Sequence, residues 1–291
     1  MKTPLTITAS AWNYCQNRCR YCASRSHRPE WTYHGNFEVF APAGHEHSTD
    51  LELRQKFGKN YYDELCPDKR RFLNKKDILD FDYLIKWLLK FAPGCELHVS
   101  GGECLLRPDI EEQIAKVVAA GISTTIFTNG MLIKKRPKLT AMPLKWVVAH
   151  HLPNDFTKWR ENVELIAHRP IMTTRLIMSD NEDHNREKIA EQYEGLNFYW
   201  GRGNGNKCGV QMELNKADLN CVASGILHLI VPDGRVFPCN VHSTYAIGHI
   251  MAMKYKPGTA KIQDSHARQC ILSNACSAYQ TARMVHLLDR K

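Results

Sequence analysis

The sequence predicts an α/β fold with a parallel sheet, because strand-like and helix-like patterns alternate over about two thirds of its 291 residues. A second observation supports this fold class. Three of the predicted strands lead directly into polar turns: a cysteine-containing loop, Gly101-Gly102-Glu103 and Thr128-Asn129-Gly130. Parallel α/β folds place their chemistry at the carboxyl ends of the strands, so we expect the three turns to lie together at one edge of the sheet.

The first part of the chain contains two predicted strand–helix units. The elements are a strand over residues 5–11, a helix over 75–91, a strand over 96–100 and a helix that opens at Pro108 and stops at Gly121. For the first helix, Asn74 is the predicted N-cap. Its predicted buried side consists of Ile78, Phe81, Leu84, Ile85 and Leu88.

The alternation continues and then changes character. Further strands are predicted over residues 123–128, 146–149, 171–178 and 196–200, with a helix over 156–167. Residues 201–208 are rich in Gly and Asn, as in a linker. Beyond them, Pro232-Asp233-Gly234 between two apolar runs predicts a β-hairpin. We therefore expect two units, residues 1–203 and 204–291.

Residues 23–73 interrupt the first unit as a long insertion. The segment is rich in aromatic residues and histidine, and segments of this length in compact domains are usually functional. One interpretation is a lid over the open end of the sheet, and the other is a decoration of the outer surface. His45 and His47 are conceivable metal ligands, although an isolated pair is more often a surface feature.

Composition limits the class of protein. A hydrophobic content of 43% and a charged content of 24% are ordinary for a globular domain. No apolar run is long enough for a membrane span, and the first residues lack the apolar core of a signal peptide. We therefore expect a cytoplasmic protein without membrane contact, in which the 11 cysteines favour metal ligation over disulfides. The net charge of +9 fits either a polyanionic partner or a generally basic surface.

Cys15, Cys19 and Cys22 are the most informative residues. A closed [4Fe–4S] site supplies four thiolates, so three ligands in one short loop leave one iron open to a small molecule. The alternative is three ordinary buried or metal-binding cysteines. The spacing, with Tyr21 before the last cysteine, resembles the signature of the radical S-adenosylmethionine (SAM) superfamily.

This resemblance implies a fold, a cofactor set and a reaction. The fold would be a partial (β/α)6 barrel, and the [4Fe–4S] cluster of Cys15, Cys19 and Cys22 would chelate SAM at its open iron. One electron would cleave SAM to a 5′-deoxyadenosyl radical, which abstracts hydrogen from the substrate. The electron would come from a donor such as flavodoxin or ferredoxin. The cofactors carry this chemistry and the protein positions them.

The resemblance also assigns residues to the SAM site. Gly101 and Gly102 let the backbone come close, and Glu103 accepts hydrogen bonds from the SAM ammonium. Tyr21, Thr128 and Asn129 are placed beside the cofactor by the same resemblance. Arg175 lies on a strand from which it could reach the SAM carboxylate, and a solvent-facing position is the alternative.

A second group of cysteines lies near the C-terminus. Cys221, Cys239, Cys270 and Cys276 resemble the twitch or truncated SPASM module of radical SAM enzymes, a β-hairpin plus helix that holds an auxiliary [4Fe–4S] cluster. Cys208 is a possible substitute ligand. A zinc site with four cysteines is the alternative, because spacing alone does not separate the two metals. Cys95 and Cys104 are predicted to be core thiols, and Cys66 is left without a role.

The resemblance does not name a substrate. The basic charge and the aromatic insertion are compatible with a nucleotide or nucleic-acid base, since bases stack on aromatic rings and phosphates favour Lys and Arg. A peptide- or protein-modifying maturase and a small-molecule dehydrogenase are alternatives in the same superfamily. A non-catalytic metal-binding nucleic-acid protein is the alternative from another class.

Overall fold

The computed structural model describes residues 5–12, 14–17, 78–151, 154–177, 185–202, 227–237 and 248–256. Their strands form one ten-stranded sheet. The first six strands are β1 Thr6–Trp12, β2 Glu96–Gly101, β3 Ser123–Thr128, β4 Lys145–His150, β5 Ile171–Ile177 and β6 Phe198–Arg202. The four short strands that follow are β7 Leu227–Ile230, β8 Arg235–Phe237, β9 Gly248–His249 and β10 Lys254–Tyr255.

The sheet confirms the predicted α/β class. Its strand order is β10-β9-β8-β7-β1-β2-β3-β4-β5-β6. Strands β1 to β6 are parallel, β7 is parallel to β1, and β8 to β10 are antiparallel to their neighbours. Among the described strands, β10 and β6 are the two edges, so the sheet is open rather than a closed barrel.

The predicted hairpin is confirmed, and the structure shows where it lies in the sheet. Gly234 N donates to Val231 O over 2.8 Å in the turn between β7 and β8. Strand β7 then pairs with β1, with Leu229 opposite Thr8. The hairpin therefore continues the sheet of the first unit, and the division into residues 1–203 and 204–291 stays a prediction.

Helices connect the parallel strands. The described helices are α1 Phe81–Phe91, α2 Ile110–Ala119, α3 Pro137–Ala141, α4 Phe156–Glu164 and α5 Arg186–Glu191. Short 3-10 turns occur at Cys104–Leu106 and Ile133–Lys135. None of the described helices has the length and apolar character needed to cross a membrane.

The prediction for the start of α1 was wrong. The helix begins at Phe81 with Asp80 as N-cap, whose carboxylate accepts hydrogen bonds from two backbone N–H groups of the first turn. Leu79 N instead donates to Ala11 O over 3.3 Å, which holds the chain beside β1. Ile78, predicted to be buried, forms a β-bridge with Trp12 and is 50% exposed. Asn74, the predicted N-cap, lies outside the described residues.

Other boundaries shift by a few residues. Helix α2 begins at Ile110 rather than Pro108, and α4 ends at Glu164, short of the predicted residue 167. Strand β6 begins at Phe198 instead of residue 196. At the first of these boundaries, the carboxylate of Asp109 forms an ion pair with Arg107, with 2.6 Å between Oδ1 and Nε.

The two faces of the sheet differ in chemistry. One face packs into the main hydrophobic core through its apolar side chains, which are Ile7, Ala9, Leu97, Val99, Ile126, Trp146 and Val148. The other face is polar at the amino ends of the strands. There the Glu96 carboxylate accepts hydrogen bonds from Ser123 Oγ and Thr125 Oγ1, both at 2.6 Å, and from Lys145 Nζ at 3.1 Å. This network joins β2, β3 and β4 at the end opposite to the predicted site.

Candidate functional site

The candidate site lies where the carboxyl ends of β1, β2 and β3 meet. Cys15 follows β1, Gly101-Gly102-Glu103 closes β2, and Thr128-Asn129 closes β3. Because these strands are neighbours and parallel, the three turns share one edge, as the sequence predicted. Cys19, Cys22 and Tyr21 lie outside the described residues.

Backbone hydrogen bonds join the start of the cysteine loop to the turn after β2. Gly102 N donates to Trp12 O over 2.9 Å, and Glu103 N donates to Tyr14 O over 2.8 Å. Gly101 makes this approach possible, since its φ is 137° and a Cβ there would lie 2.2 Å from Trp12 O. The register between β1 and β2 shifts at the same place. The residue before Cys15 is thereby fixed to the turn after β2.

Glu103 connects the end of β2 to the end of β3. Its side chain is 1% exposed. Oε1 accepts hydrogen bonds from Thr128 Oγ1 at 2.8 Å and Leu105 N at 3.0 Å, and Oε2 accepts one from Asn129 N at 2.8 Å. Burial raises the pKa of this carboxyl, and the three donors partly oppose that shift. The contact of Glu103 with the SAM ammonium stays a prediction.

Asn129 extends the same network to Cys15. Its Oδ1 accepts hydrogen bonds from Gln16 Nε2 at 3.3 Å and from Met131 N at 3.1 Å. Its Nδ2 lies 4.0 Å from Cys15 Sγ, and Asn17 N donates to the same sulfur at 3.4 Å. A series of hydrogen bonds therefore connects the buried Glu103, through Asn129, to the sulfur of Cys15.

The environment of Cys15 fits a thiolate ligand. Two N–H groups point at its sulfur, and donors of this kind stabilise the negative form that binds a metal. The protonated thiol itself donates to Gln16 Oε1 at 3.9 Å. The thiol is partly accessible rather than enclosed in the core. Within the described residues no group of three or more His, Cys, Asp or Glu side chains could hold a metal ion. Those residues include Cys15 but neither of its two predicted partners, so the cluster ligands remain a prediction.

The turn after β3 is held in place by close packing against β4 and α4. Gly130 has a φ of 80°, and a Cβ there would lie 2.7 Å from Val148 Cγ1 and 2.8 Å from Trp159 Nε1. Gly130 N also donates to Thr128 Oγ1 over 3.1 Å. Strand β4 and helix α4 thus hold the turn that carries Asn129.

Arg175 lies on β5, where it pairs in register with His150 at the end of β4. Its side chain is 8% exposed, so the solvent-facing alternative was wrong. Its charge contributes to lowering the pKa of His150, behind the larger effect of burial. His150 Nδ1 is bonded to Tyr193 OH at 2.5 Å within an aromatic cluster. The proposed contact of Arg175 with the SAM carboxylate stays a prediction.

His150 and His151 were missed by the sequence reasoning. They close β4 at the same edge at which the three motifs close β1 to β3. Burial, and to a lesser degree His150, lower the pKa of His151 from 6.5 to about 4, so its imidazole is neutral near pH 7. Their position at a strand end was the signal that could have found them.

The remaining cysteine predictions divide into two groups. Cys95 and Cys104 are buried in the main core, as expected for core thiols. Burial raises the pKa of Cys95 to about 12 and that of Cys104 well above its ordinary value. Outside the described residues lie the predicted auxiliary-cluster ligands Cys221, Cys239, Cys270 and Cys276, together with Cys66, Cys208 and the insertion 23–73.

One protein-family model matches part of the chain. Residues 10–143 match the model of the radical SAM superfamily. This segment contains the cysteine loop and the turns that follow β2 and β3. No curated protein sequence matches the chain.

Two solved structures resemble the chain at low identity. BtrN in complex with AdoMet and 2-DOIA is 14% identical, with 94% of this chain and 89% of BtrN covered and a TM-score of 0.47. Streptococcus suis SuiB bound to S-adenosylmethionine is 13% identical, with 81% of this chain and 60% of SuiB covered and a TM-score of 0.41.

Proposed function

We propose, from the radical SAM match over residues 10–143, that the chain is an enzyme that uses SAM and a [4Fe–4S] cluster for radical chemistry. The observation that carries the proposal is the placement of Cys15. Its loop is fixed by backbone bonds to the turn after β2, and its sulfur receives two N–H donors at the shared edge of the sheet. Family match and geometry thus concern the same residues.

In this proposal Cys15, Cys19 and Cys22 hold the cluster and leave one iron for SAM. When bound, the two cofactors supply the one-electron cleavage of SAM that gives a 5′-deoxyadenosyl radical and removes hydrogen from the substrate. The chain's own contribution is positional. Glu103 fixes the ends of β2 and β3, and Asn129 orients the sulfur of Cys15. A flavodoxin or ferredoxin is the proposed electron donor.

The proposed substrate is a nucleotide or a nucleic-acid base. Support comes from the net charge of +9 and from the aromatic residues of the insertion 23–73, which offer phosphate-binding and base-stacking groups. We further propose an auxiliary [4Fe–4S] cluster at Cys221, Cys239, Cys270 and Cys276. Four thiolates would close that cluster and give it an electron-transfer or structural role.

SAM cleavage tests the central proposal. The reconstituted protein, reduced under anaerobic conditions, is expected to convert SAM to 5′-deoxyadenosine and methionine. Cys15→Ala should abolish this product, because two thiolates cannot hold the cluster. Cys95→Ala is the matched control, since Cys95 is a buried thiol at the opposite end of β2 and should leave cleavage intact. Cleavage by Cys15→Ala at the wild-type rate would contradict the proposal.

Metal analysis of the same preparations tests the auxiliary cluster. Two four-iron clusters give about eight irons per chain, and replacement of Cys15, Cys19 and Cys22 together should leave about four. Four irons and one zinc in the wild type would instead indicate a zinc site at the C-terminal cysteines.

A further inference from the structure

We propose that Asn129 raises the reduction potential of the cluster bound through Cys15 by donating a side-chain N–H to the cysteine sulfur. The inference rests on the proposed function, because it requires a cluster at Cys15. It goes beyond that function in assigning control of the electron-accepting step to one side chain outside the cysteine motif.

Hydrogen bonds fix the direction in which the Asn129 amide points. The side chain is 4% exposed. Two N–H donors, Met131 N at 3.1 Å and Gln16 Nε2 at 3.3 Å, converge on one end of the amide, which must therefore be the carbonyl oxygen. The NH2 group is consequently at the other end, where it faces Cys15 Sγ at 4.0 Å. The orientation follows from the bonding partners.

The position of Asn129 is fixed independently of its side chain. Its backbone N donates to Glu103 Oε2 over 2.8 Å, and Glu103 is itself held by Thr128 and Leu105. The following Gly130 is packed against Val148 and Trp159. A donor held in this way does not need to be ordered when the cluster binds, so little entropy opposes its interaction with the sulfur.

The expected effect on the cluster follows from charge. Reduction adds an electron to a cluster with thiolate ligands, and an N–H aimed at a ligand sulfur stabilises the added negative charge. The oxidised cluster gains less from the same donor, so the potential rises. Asn17 N contributes in the same sense at 3.4 Å, but it is a backbone group that a substitution does not remove. Gln16 Oε1, 3.9 Å from the same sulfur, acts in the opposite sense and is unchanged in the Asn129 variants. Asn129 is thus the donor that can be tested.

The principal test is the substitution Asn129→Asp. An aspartate retains an oxygen for Met131 N and Gln16 Nε2, whereas the end that faces Cys15 changes from a donor to a carboxylate oxygen. Asn129→Ser is the uncharged second variant, because a serine hydroxyl can still accept from an N–H two residues on. Both should make reduction harder, the aspartate more than the serine.

Potentials are measured by redox titration with electron paramagnetic resonance, in the full-length reconstituted protein without SAM. The signal of the reactive cluster is the one that is missing from Cys15→Ala. At a fixed potential we expect the reduced-to-oxidised ratio to fall about tenfold in Asn129→Asp, which corresponds to a shift of about −59 mV for a one-electron couple.

Asn162→Asp is the matched control. Asn162 is also buried and bonded at both ends of its amide, to Lys134 N at 2.8 Å and to Lys158 O at 2.7 Å, but it lies on α4 away from Cys15. The same chemical change there should leave the potential at the wild-type value.

The outcomes separate this inference from the proposed function. A lowered potential in both Asn129 variants, with Asn162→Asp unchanged, supports it. A lowered potential in Asn129→Asp alone overturns it, because the added charge explains that result without an N–H donor. Normal iron content with a wild-type potential in both Asn129 variants overturns it while the proposed function stands. Loss of the cluster from both variants also overturns it and assigns Asn129 a role in assembly alone. A wild-type protein that binds no cluster refutes the proposed function itself.

Discussion

Replacement of Gly101 by alanine should destabilise the protein and displace the cysteine loop. The added Cβ would lie 2.2 Å from Trp12 O and 3.1 Å from Ser10 Oγ. An ordinary carbon–oxygen contact is about 3.3 Å, so β1 and the turn after β2 must separate by about 1 Å. The carbonyl that moves is the one that accepts the hydrogen bond from Gly102 N. The consequence therefore reaches the residues that lead to Cys15.

The magnitude follows from two contributions. A non-glycine residue at a φ of 137° is strained, which costs about 1–3 kcal/mol. Loss of the hydrogen bond from Gly102 N to Trp12 O adds about 0.5–1.5 kcal/mol. We expect the free energy of unfolding to fall by about 3 kcal/mol, a large part of the roughly 5–15 kcal/mol that a domain has. Denaturant unfolding followed by circular dichroism measures it, and iron analysis should show less bound cluster.

Gly121→Ala separates the steric clash from backbone strain. Gly121 also has a positive φ, 74°, but nothing lies within 4 Å of a Cβ built there. Its replacement should cost only about 1–2 kcal/mol and leave the iron content unchanged. Equal destabilisation by the two substitutions would show that the contact between Gly101 and Trp12 does not constrain the loop.

Two further predictions concern groups at the same edge. Glu103→Ala leaves three buried donors, Thr128 Oγ1, Asn129 N and Leu105 N, without their acceptor. At about 1 kcal/mol or more for each donor, we expect the free energy of unfolding, measured with denaturant, to fall by about 3 kcal/mol. The exposed control Glu112→Ala should lower it by less than about 0.5 kcal/mol, and equal losses would refute this role of Glu103. The folded-state pKa of His151 is depressed from 6.5 to about 4, so the stability it contributes is present above pH 6.5 and is lost as the pH falls through 4. The thermal midpoint of His151→Gln should therefore fall less than that of the wild type between pH 7 and pH 4, and an equal fall in the two proteins would contradict this contribution of His151.

Local sequence patterns determined the order of the elements and the location of the candidate site. Alternating apolar runs were sufficient to predict β1 to β5 within one or two residues, because a strand or helix buries one face at a characteristic period. The turns after β1, β2 and β3 were recognisable as motifs. Their meeting at one edge followed from the parallel arrangement, which fixes where carboxyl ends lie.

The start of α1 was decided by contacts that no local pattern contains. The guanidinium of Arg107, which is 4% exposed, donates to Leu79 O at 2.6 Å and to Ala11 O at 3.3 Å. These bonds hold Ile78 and Leu79 beside β1, although their sequence also fits a helix. The predicted helix was confirmed over Phe81–Phe91, but its predicted start was wrong at Ile78 and Leu79, where a tertiary contact outweighed local propensity.

The roles of Glu103 and Asn129 also depended on the tertiary structure. The sequence identified a carboxylate and an amide at two strand ends, and their chemistry suggested ligand contacts. Only the fold brings Glu103 to Asn129 and Asn129 to Cys15 across 26 and 114 residues of chain. It likewise places β7 beside β1. The spacing of apolar residues along the sequence indicates which side of a strand or helix is buried. The partner of a buried polar group depends instead on the distances between strands that are far apart in sequence, and only the assembled sheet sets those distances.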